Sequence, residues 1–150
     1  MASVNFAFLA NNDTIKNMTI KIFTDGAARG NPGPAGIGVV IKDDEEILLE
    51  VADYIGQATN NVAEYMALIR GLEEAIDMDI TEVAAICDSE LMVRQLQGEY
   101  RVKSEGLIPL YDHVQSLIRK FKSFSISHTR RENNKQADQL ANLGIDAQQG

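Results

Sequence analysis

Apolar and polar residues alternate with a period of two in three stretches near the start of the chain, and each stretch predicts a strand. Ile20 and Ile22 alternate with polar neighbours across MTIKIFTD (18–25). GIGVVIKD (36–43) gives a second strand, and the acidic turn Asp43–Glu46 leads into a third, ILLEVADYI (47–55). Short connections make these three an antiparallel meander. The period then changes. From Asn60 to about Met78, Ala63, Ala67, Leu68, Leu72, Ala75 and Ile76 form one apolar stripe, which predicts a helix with Asn60 as its N-cap. EVAAIC (82–87) is apolar nearly throughout, as in a strand covered on both faces. Ser89 caps a helix over SELMVRQLQG, and Leu107–Phe121 predicts another with Leu110, Val114, Leu117, Ile118 and Phe121 inward. FSISHT (124–129) is a fifth strand, and a last helix covers about Asn134–Ile145. The order βββαβααβα predicts an α/β protein, a mixed sheet with helices packed on it.

No repeat or low-complexity linker divides the chain, so one domain is expected over 18–146. Residues 1–17 are expected to be a weakly structured N-terminal extension. At 150 residues and 45% hydrophobic, that domain can bury a sizeable core. No apolar run approaches the ~18 residues of a membrane span. The first residues lack the basic region of a secretory signal. The single cysteine, Cys87, precludes an internal disulfide and suits a reducing cytoplasm, the expected location. On its apolar strand it reads as a small core residue rather than a nucleophile.

A net charge of −8 runs against nucleic-acid binding until the chain is divided. From Arg94 to Lys135 nine Lys/Arg face four acids, whereas the remainder carries five basic and eighteen acidic residues. A basic tract within an acidic chain is compatible with local phosphate binding, and equally with a solvated helix face.

Four acids occupy unusual positions. Asp25 ends the first strand and Asp88 the fourth; Glu64 lies in the first turn of the long helix, and Asp138 in the last helix beside Leu140 and Ala141. A carboxylate at an apolar strand end is costly unless paired or metal-bound. Two such strands side by side would bring Asp25 and Asp88 within a few ångströms, where a divalent cation offsets their repulsion. Oxygen-only ligands favour Mg²⁺ or Mn²⁺ over zinc. Two ions about 3.5–4 Å apart can clamp a phosphodiester. Taken singly, each acid is also explained as a turn, a cap or a solvated helix residue.

The flanking words are more specific: Thr24-Asp25-Gly26; Gly30-Asn31-Pro32-Gly33-Pro34-Ala35-Gly36; Thr59-Asn60-Asn61-Val62-Ala63-Glu64; Asp88-Ser89; and His128 followed by Asn134-Lys135-Gln136-Ala137-Asp138-Gln139-Leu140-Ala141. In this order, over roughly 19–145, they resemble the type 1 ribonuclease H family. The resemblance implies the ribonuclease H-like fold, a five-stranded mixed sheet whose first three strands are antiparallel and whose fourth and fifth are parallel, flanked by helices. It also implies an endonuclease that hydrolyses the RNA strand of an RNA–DNA hybrid, with two Mg²⁺ or Mn²⁺ ions, leaving 5′-phosphate and 3′-hydroxyl ends.

Asp25, Glu64, Asp88 and Asp138 are then the metal-binding carboxylates. His128 would sit in a mobile loop and assist proton transfer or product release; alone, it would read as a hydrogen-bonded strand-end histidine. Gly26 and Ala27 (through the backbone), Asn31 and Asn60 would contact RNA hydroxyls, the groups that distinguish RNA from DNA. Asn61 would reach the minor groove, and Thr59 would help hold a phosphate of the DNA strand. The cap reading of Asn60 is compatible with this role. His113 reads as a surface or boundary residue.

Many bacterial members insert a basic helix and loop, the handle, after the Asp-Ser helix. Here the chain runs through Glu99–Glu105 straight into the next helix, as in a compact, handle-less form, and neither end reads as a separate hybrid-binding domain. Arg101 and Lys103, with Arg130 and Arg131, remain for phosphate contact. A monomer without an obligatory protein partner is expected. Two alternatives stay open: a catalytically silent nucleic-acid-binding module, and a nuclease that also acts on double-stranded RNA.

Overall fold

The computed structural model describes residues 2–5 and 19–149. Strands β1 (Ala2–Asn5), β2 (Ile20–Ala28), β3 (Gly33–Lys42) and β4 (Ile47–Ala58) precede helix α1 (Asn60–Asp77). Strand β5 (Glu82–Cys87), helices α2 (Glu90–Leu96) and α3 (Ile108–Ile118), strand β6 (Ser123–His128), a 3₁₀ turn (Arg131–Asn133) and helix α4 (Lys135–Gln149) complete the chain. The strands lie in the order β1-β4-β3-β2-β5-β6. β2, β3 and β4 form the expected meander, and β5 and β6 run parallel to β2. The five expected strands are thus present in the expected directions. A sixth, β1, lies at the edge, antiparallel to β4, and falls within the expected N-terminal extension. The rest of that extension, 1 and 6–17, lies outside the described residues.

Helices α1, α2 and α3 cover one face of the sheet and α4 the other. Gly71 of α1 meets Ile22, Thr24 and Val39, whereas the Cβ positions of Gly36 and Gly38 on β3 point at the backbone of α4. Since neighbouring strand residues face opposite ways, Val39 and Gly38 fix the two sides. The main core joins Ile20, Ile22, Val39 and Ile41 of the sheet to Tyr65, Leu68 and Leu72 of α1. Met92 and Val93 of α2 and Val114 and Leu117 of α3 extend it. Each fully buried aliphatic side chain contributes ~1.5–3 kcal/mol of transfer free energy. The α4 side is different in kind. Its buried residues are the small Ala137, Ala141 and Gly144 with Ile145, and a Cβ on Gly38 would stand 2.0 Å from the Ala137 carbonyl oxygen. Small residues on both surfaces let α4 lie close against β3.

Several boundaries depart from expectation. β2 continues to Ala28 and β3 starts at Gly33, because Ala28 pairs with Ala35 and the Gly/Pro segment closes a tight hairpin, Arg29 donating to the Pro34 carbonyl. Asp25 is therefore an interior residue of β2, not its end. On the β5 side, however, pairing stops at Thr24 with Cys87, so Asp25 is the first residue beyond that ladder. The N-cap of α1 is Thr59, not Asn60: its backbone is extended and its Oγ1 accepts from Val62 N. Asn60 is the first helical residue, its side chain engaged by β2. Helix α3 is shorter than expected, with Leu107 as its cap residue, yet Phe121 beyond its end is still buried. β5 and the Ser89 cap of α2 are as expected.

Candidate active site

Neighbouring parallel strands β2 and β5 place Asp25 and Asp88 one residue past their last paired positions, Thr24 and Cys87. Glu64 joins them from the second turn of α1, not the first, because the helix starts at Asn60 with no acid in its opening turn. Oxygen atoms of Asp25, Glu64 and Asp88 all lie within 4.8 Å of one another. Asp138 on α4 comes from the opposite helical layer, outside this three-acid group but near enough to help raise the Asp25 pKa.

The approach of α1 depends on Gly26. Its N–H donates to Glu64 Oε1 at 3.0 Å, and a Cβ there would stand 2.1 Å from the Ala63 carbonyl carbon. No side chain fits between β2 and α1. On the other side Asn134, 2% exposed, sits just before α4 and donates through Nδ2 to the Thr24 carbonyl at 2.9 Å. Asn142 in turn donates to the Asp138 carbonyl and lies 3.5 Å from its Oδ1. The acids are thereby fixed to two helices and two strands.

Their titration shows the cost. Asp25, 1% exposed, is pushed far above the ordinary carboxylate range, first by burial and then by the charges of Glu64 and Asp88. Glu64 rises to about 8, again chiefly through burial, with Asp88 adding and the Gly26 N–H and Arg131 opposing. Cys87 is also pushed up by burial, as an inert core thiol should be.

A cation fits these residues. Asp88 Oδ2 is buried without a hydrogen-bond partner among the described residues, its nearest cation being Arg131 Nε at 3.8 Å. Such an orphaned anionic oxygen beside two more carboxylates matches the hard, oxygen-rich donor set of Mg²⁺ and Mn²⁺.

Around the acids, a chain of amides links the β2–β3 hairpin to α1. Asn60 N donates to Asn31 Oδ1, and Ala28 N donates to Asn60 Oδ1, both at 3.0 Å. Both oxygens are taken internally, and the exposed NH₂ groups face solvent with no partner among the described residues. Asn61 is exposed on the same turn, and Ala27 and Thr59 are half-buried beside it. Gly26 is buried with its N–H committed to Glu64. His128 is the last residue of β6, paired in register with Cys87 and exposed; the strand, not a loop, carries it because the ladder runs on to that position. Arg101 and Lys103 lie in the irregular segment between α2 and α3, away from the acids. His113 is exposed on α3, 3.7 Å from Glu73.

Sequence reasoning assigned no role to the side chains of Asn134 and Arg94. Asn134 carried a signal, an asparagine directly before a helix, but its partner lies 110 residues away.

Fold and site together define an α/β protein with a carboxylate cluster of the kind that holds divalent cations. The family model described as Reverse transcriptase-like matches residues 23–144. The bifunctional protein Rv2228c of Mycobacterium tuberculosis is 44% identical over 87% of this chain, which spans 36% of that protein's length. Ribonuclease H of Pseudomonas fluorescens is 33% identical, the match covering 88% of this chain and 95% of the relative. Among solved structures, RNase H1 from Halobacterium salinarum superposes with a TM-score of 0.84 at 40% identity, covering 87% of this chain and 99% of that one. LC11-RNase H1, solved in complex with an RNA/DNA hybrid, gives 0.83 at 46% identity, covering 88% and 100%. The chain belongs to the type 1 ribonuclease H family, in a compact form whose α2 and α3 are joined without a further helix. Among the described residues no helix is long and apolar enough to cross a membrane.

Proposed function

We propose that the protein is an endonuclease that hydrolyses the RNA strand of RNA–DNA hybrids with Mg²⁺ or Mn²⁺, two ions per site, leaving 5′-phosphate and 3′-hydroxyl ends. The observation that carries this reading is the convergence of Asp25, Glu64 and Asp88 within 4.8 Å, one oxygen of Asp88 being buried and unpartnered. The hybrid complex of the similar LC11 enzyme supports the substrate class.

Asp25, Glu64, Asp88 and Asp138 hold the cations, which when bound supply Lewis-acid polarisation of the phosphate and of an attacking water. Gly26 N–H and Asn134 keep the carboxylates in place before substrate arrives, so little reorganisation is left for the reaction. The NH₂ groups of Asn31 and Asn60 donate to 2′-oxygens of the RNA strand, and a deoxyribose offers them none. Ala27 adds backbone contact, as does Gly26 through groups other than its committed N–H. Asn61 reaches into the minor groove. Thr59 turns its backbone toward a phosphate of the DNA strand while its hydroxyl caps α1. His128, exposed one strand over from Cys87, relays a proton at the leaving oxygen. Arg101 and Lys103 meet backbone phosphates. The catalytic domain over 18–146, extended at its edges by β1 and the end of α4, acts as a monomer and works in the cytoplasm.

Labelled RNA–DNA hybrid, duplex RNA and duplex DNA incubated with Mg²⁺, with Mn²⁺ or with chelator test this directly. RNA cleavage confined to the hybrid and abolished by chelator is expected. Absence of metal-dependent cleavage would leave a binding module instead, and cleavage of duplex RNA would widen the substrate class.

A further inference from the structure

Helix α2 starts immediately after Asp88 and Ser89 and is closed by a glycine in the left-handed region, Gly98 at φ 82°. The segment beyond Gly98 is unusually well held for an exposed loop. The Arg94 carbonyl accepts from both Glu99 N (2.9 Å) and Tyr100 N (3.2 Å). The Arg94 side chain turns to the same two residues: Nη1 contacts Glu99 Oε1 at 2.9 Å, and the guanidinium stacks over the Tyr100 ring at 5.5 Å. Its remaining nitrogens reach back to Glu90 in the first turn of α2. One residue therefore fastens the loop through backbone and side chain together. Exposed ion pairs taken singly contribute little, but a planar fork shared among three partners fixes geometry.

The next three residues explain the purpose. Val102 packs against the main core, while Arg101 and Lys103 on either side of it are exposed. An inward residue between two outward ones directs both cations to solvent. The seven residues of α2, roughly 10 Å at ~1.5 Å per residue, and the turn clamped by Arg94 connect Asp88 to this pair. A duplex presents a phosphate every ~1.7 Å of its axis, so a pair of exposed cations beside its path has backbone phosphates to meet.

We propose that Arg94 is the positioning residue for a two-cation grip, Arg101 and Lys103, on the phosphate backbone of the bound hybrid. The inference rests on the hybrid-cleaving reading above.

Its test uses R94M, R94K and E99Q in steady-state cleavage of the hybrid, with hydrogen exchange across 99–103 measured in parallel. R94M is expected to raise KM about three- to tenfold, with kcat within twofold, and to speed exchange in the segment. R94K keeps the charge without the fork and falls between R94M and wild type. E99Q decides between geometry and charge. It removes a negative charge beside the grip, so electrostatics alone would lower KM, whereas loss of the clamp raises it. An E99Q enzyme with unchanged or lowered KM overturns the proposal, as does R94M with wild-type KM and exchange. A wild-type protein that fails to cleave the hybrid sinks the functional reading instead; exchange then still reports whether Arg94 orders the segment, and unchanged exchange in R94M overturns that too.

Discussion

A single methyl or a single charge decides much of this molecule. Asp25 is held where its carboxylate is disfavoured by burial and by two neighbouring acids. Its replacement by asparagine keeps the shape and removes the charge. D25N should lower kcat by about a thousandfold, since a cation's several kcal/mol of transition-state stabilisation goes with its ligand. The same variant should be more stable than wild type without metal, by about 1–2 kcal/mol above pH 8, as urea unfolding would show. Because the folded-state pKa is raised, wild type is already protonated near pH 4, and there the gain should vanish.

Glu64 sets the pH range for the wild-type protein. Its pKa moves from 4.5 to about 8 on folding. The folded state thus binds the extra proton between those values, and stability falls as pH rises through that window. In chelator, Tm should drop about 5–10 °C between pH 5 and pH 9. Saturating Mn²⁺ should restore most of it, and more at pH 8 than at pH 5, where protons compete for the same oxygens. A metal-free melting curve that rises with pH over this interval would contradict the burial of these acids.

Among the elements, α4 illustrates how proximity is built from missing side chains. Gly38 and Gly36 on β3 admit Ala137 and Ala141 at backbone distance, and this places Asp138 against Asp25. G38A should cost about 3 kcal/mol and remove most activity, as the helix must move off the sheet. G56A offers the contrast: its Cβ meets nothing within 4 Å, and only the φ of 84° opposes it. It should cost about 1 kcal/mol and leave kcat unchanged. Denaturation and kinetics on the two variants separate packing from backbone strain.

Legibility in the sequence divides along the same line. β5 was readable to the residue, because an apolar run bounded by polar residues leaves one register. The start of β3 was not, since Gly33 and Pro34 are breakers by type although they pair with Ala58 and Gln57 of β4. The cap of α1 was misplaced by one residue because Thr59 and Asn60 are both good caps, and only the bond from Ala28 N commits Asn60 elsewhere. The four acids stood out through the words around them, whereas the Arg94 clamp needed the folded loop to bring its partners together.

For the whole molecule, charge distribution governs encounter with substrate. The net charge is −8, yet Arg101 and Lys103 stand in a tract where nine cations outnumber four acids. Binding of a polyanion must then be local and shallow. With about two to four phosphates contacted, log affinity for a hybrid should fall against log salt with a slope of about −2 to −4. Fluorescence anisotropy of a labelled hybrid from about 50 to 300 mM salt would show it, and a flat line would exclude the grip. Removing both cations, R101M with K103M, should flatten the slope by about 2 while leaving the thermal stability of these exposed sites nearly unchanged.

The orphaned oxygen of Asp88 has a consequence for how such chains change over time. A fold that gathers acids it does not itself satisfy is more stable once one of them is lost, so drift under selection for folding alone leads toward silence. A descendant with asparagine at 25 or 88 would keep its sheet, its helices and the proposed grip on nucleic acid, and would outlast its parent in a metal-poor tube. Under the proposed function, the four acids of this chain set turnover against stability.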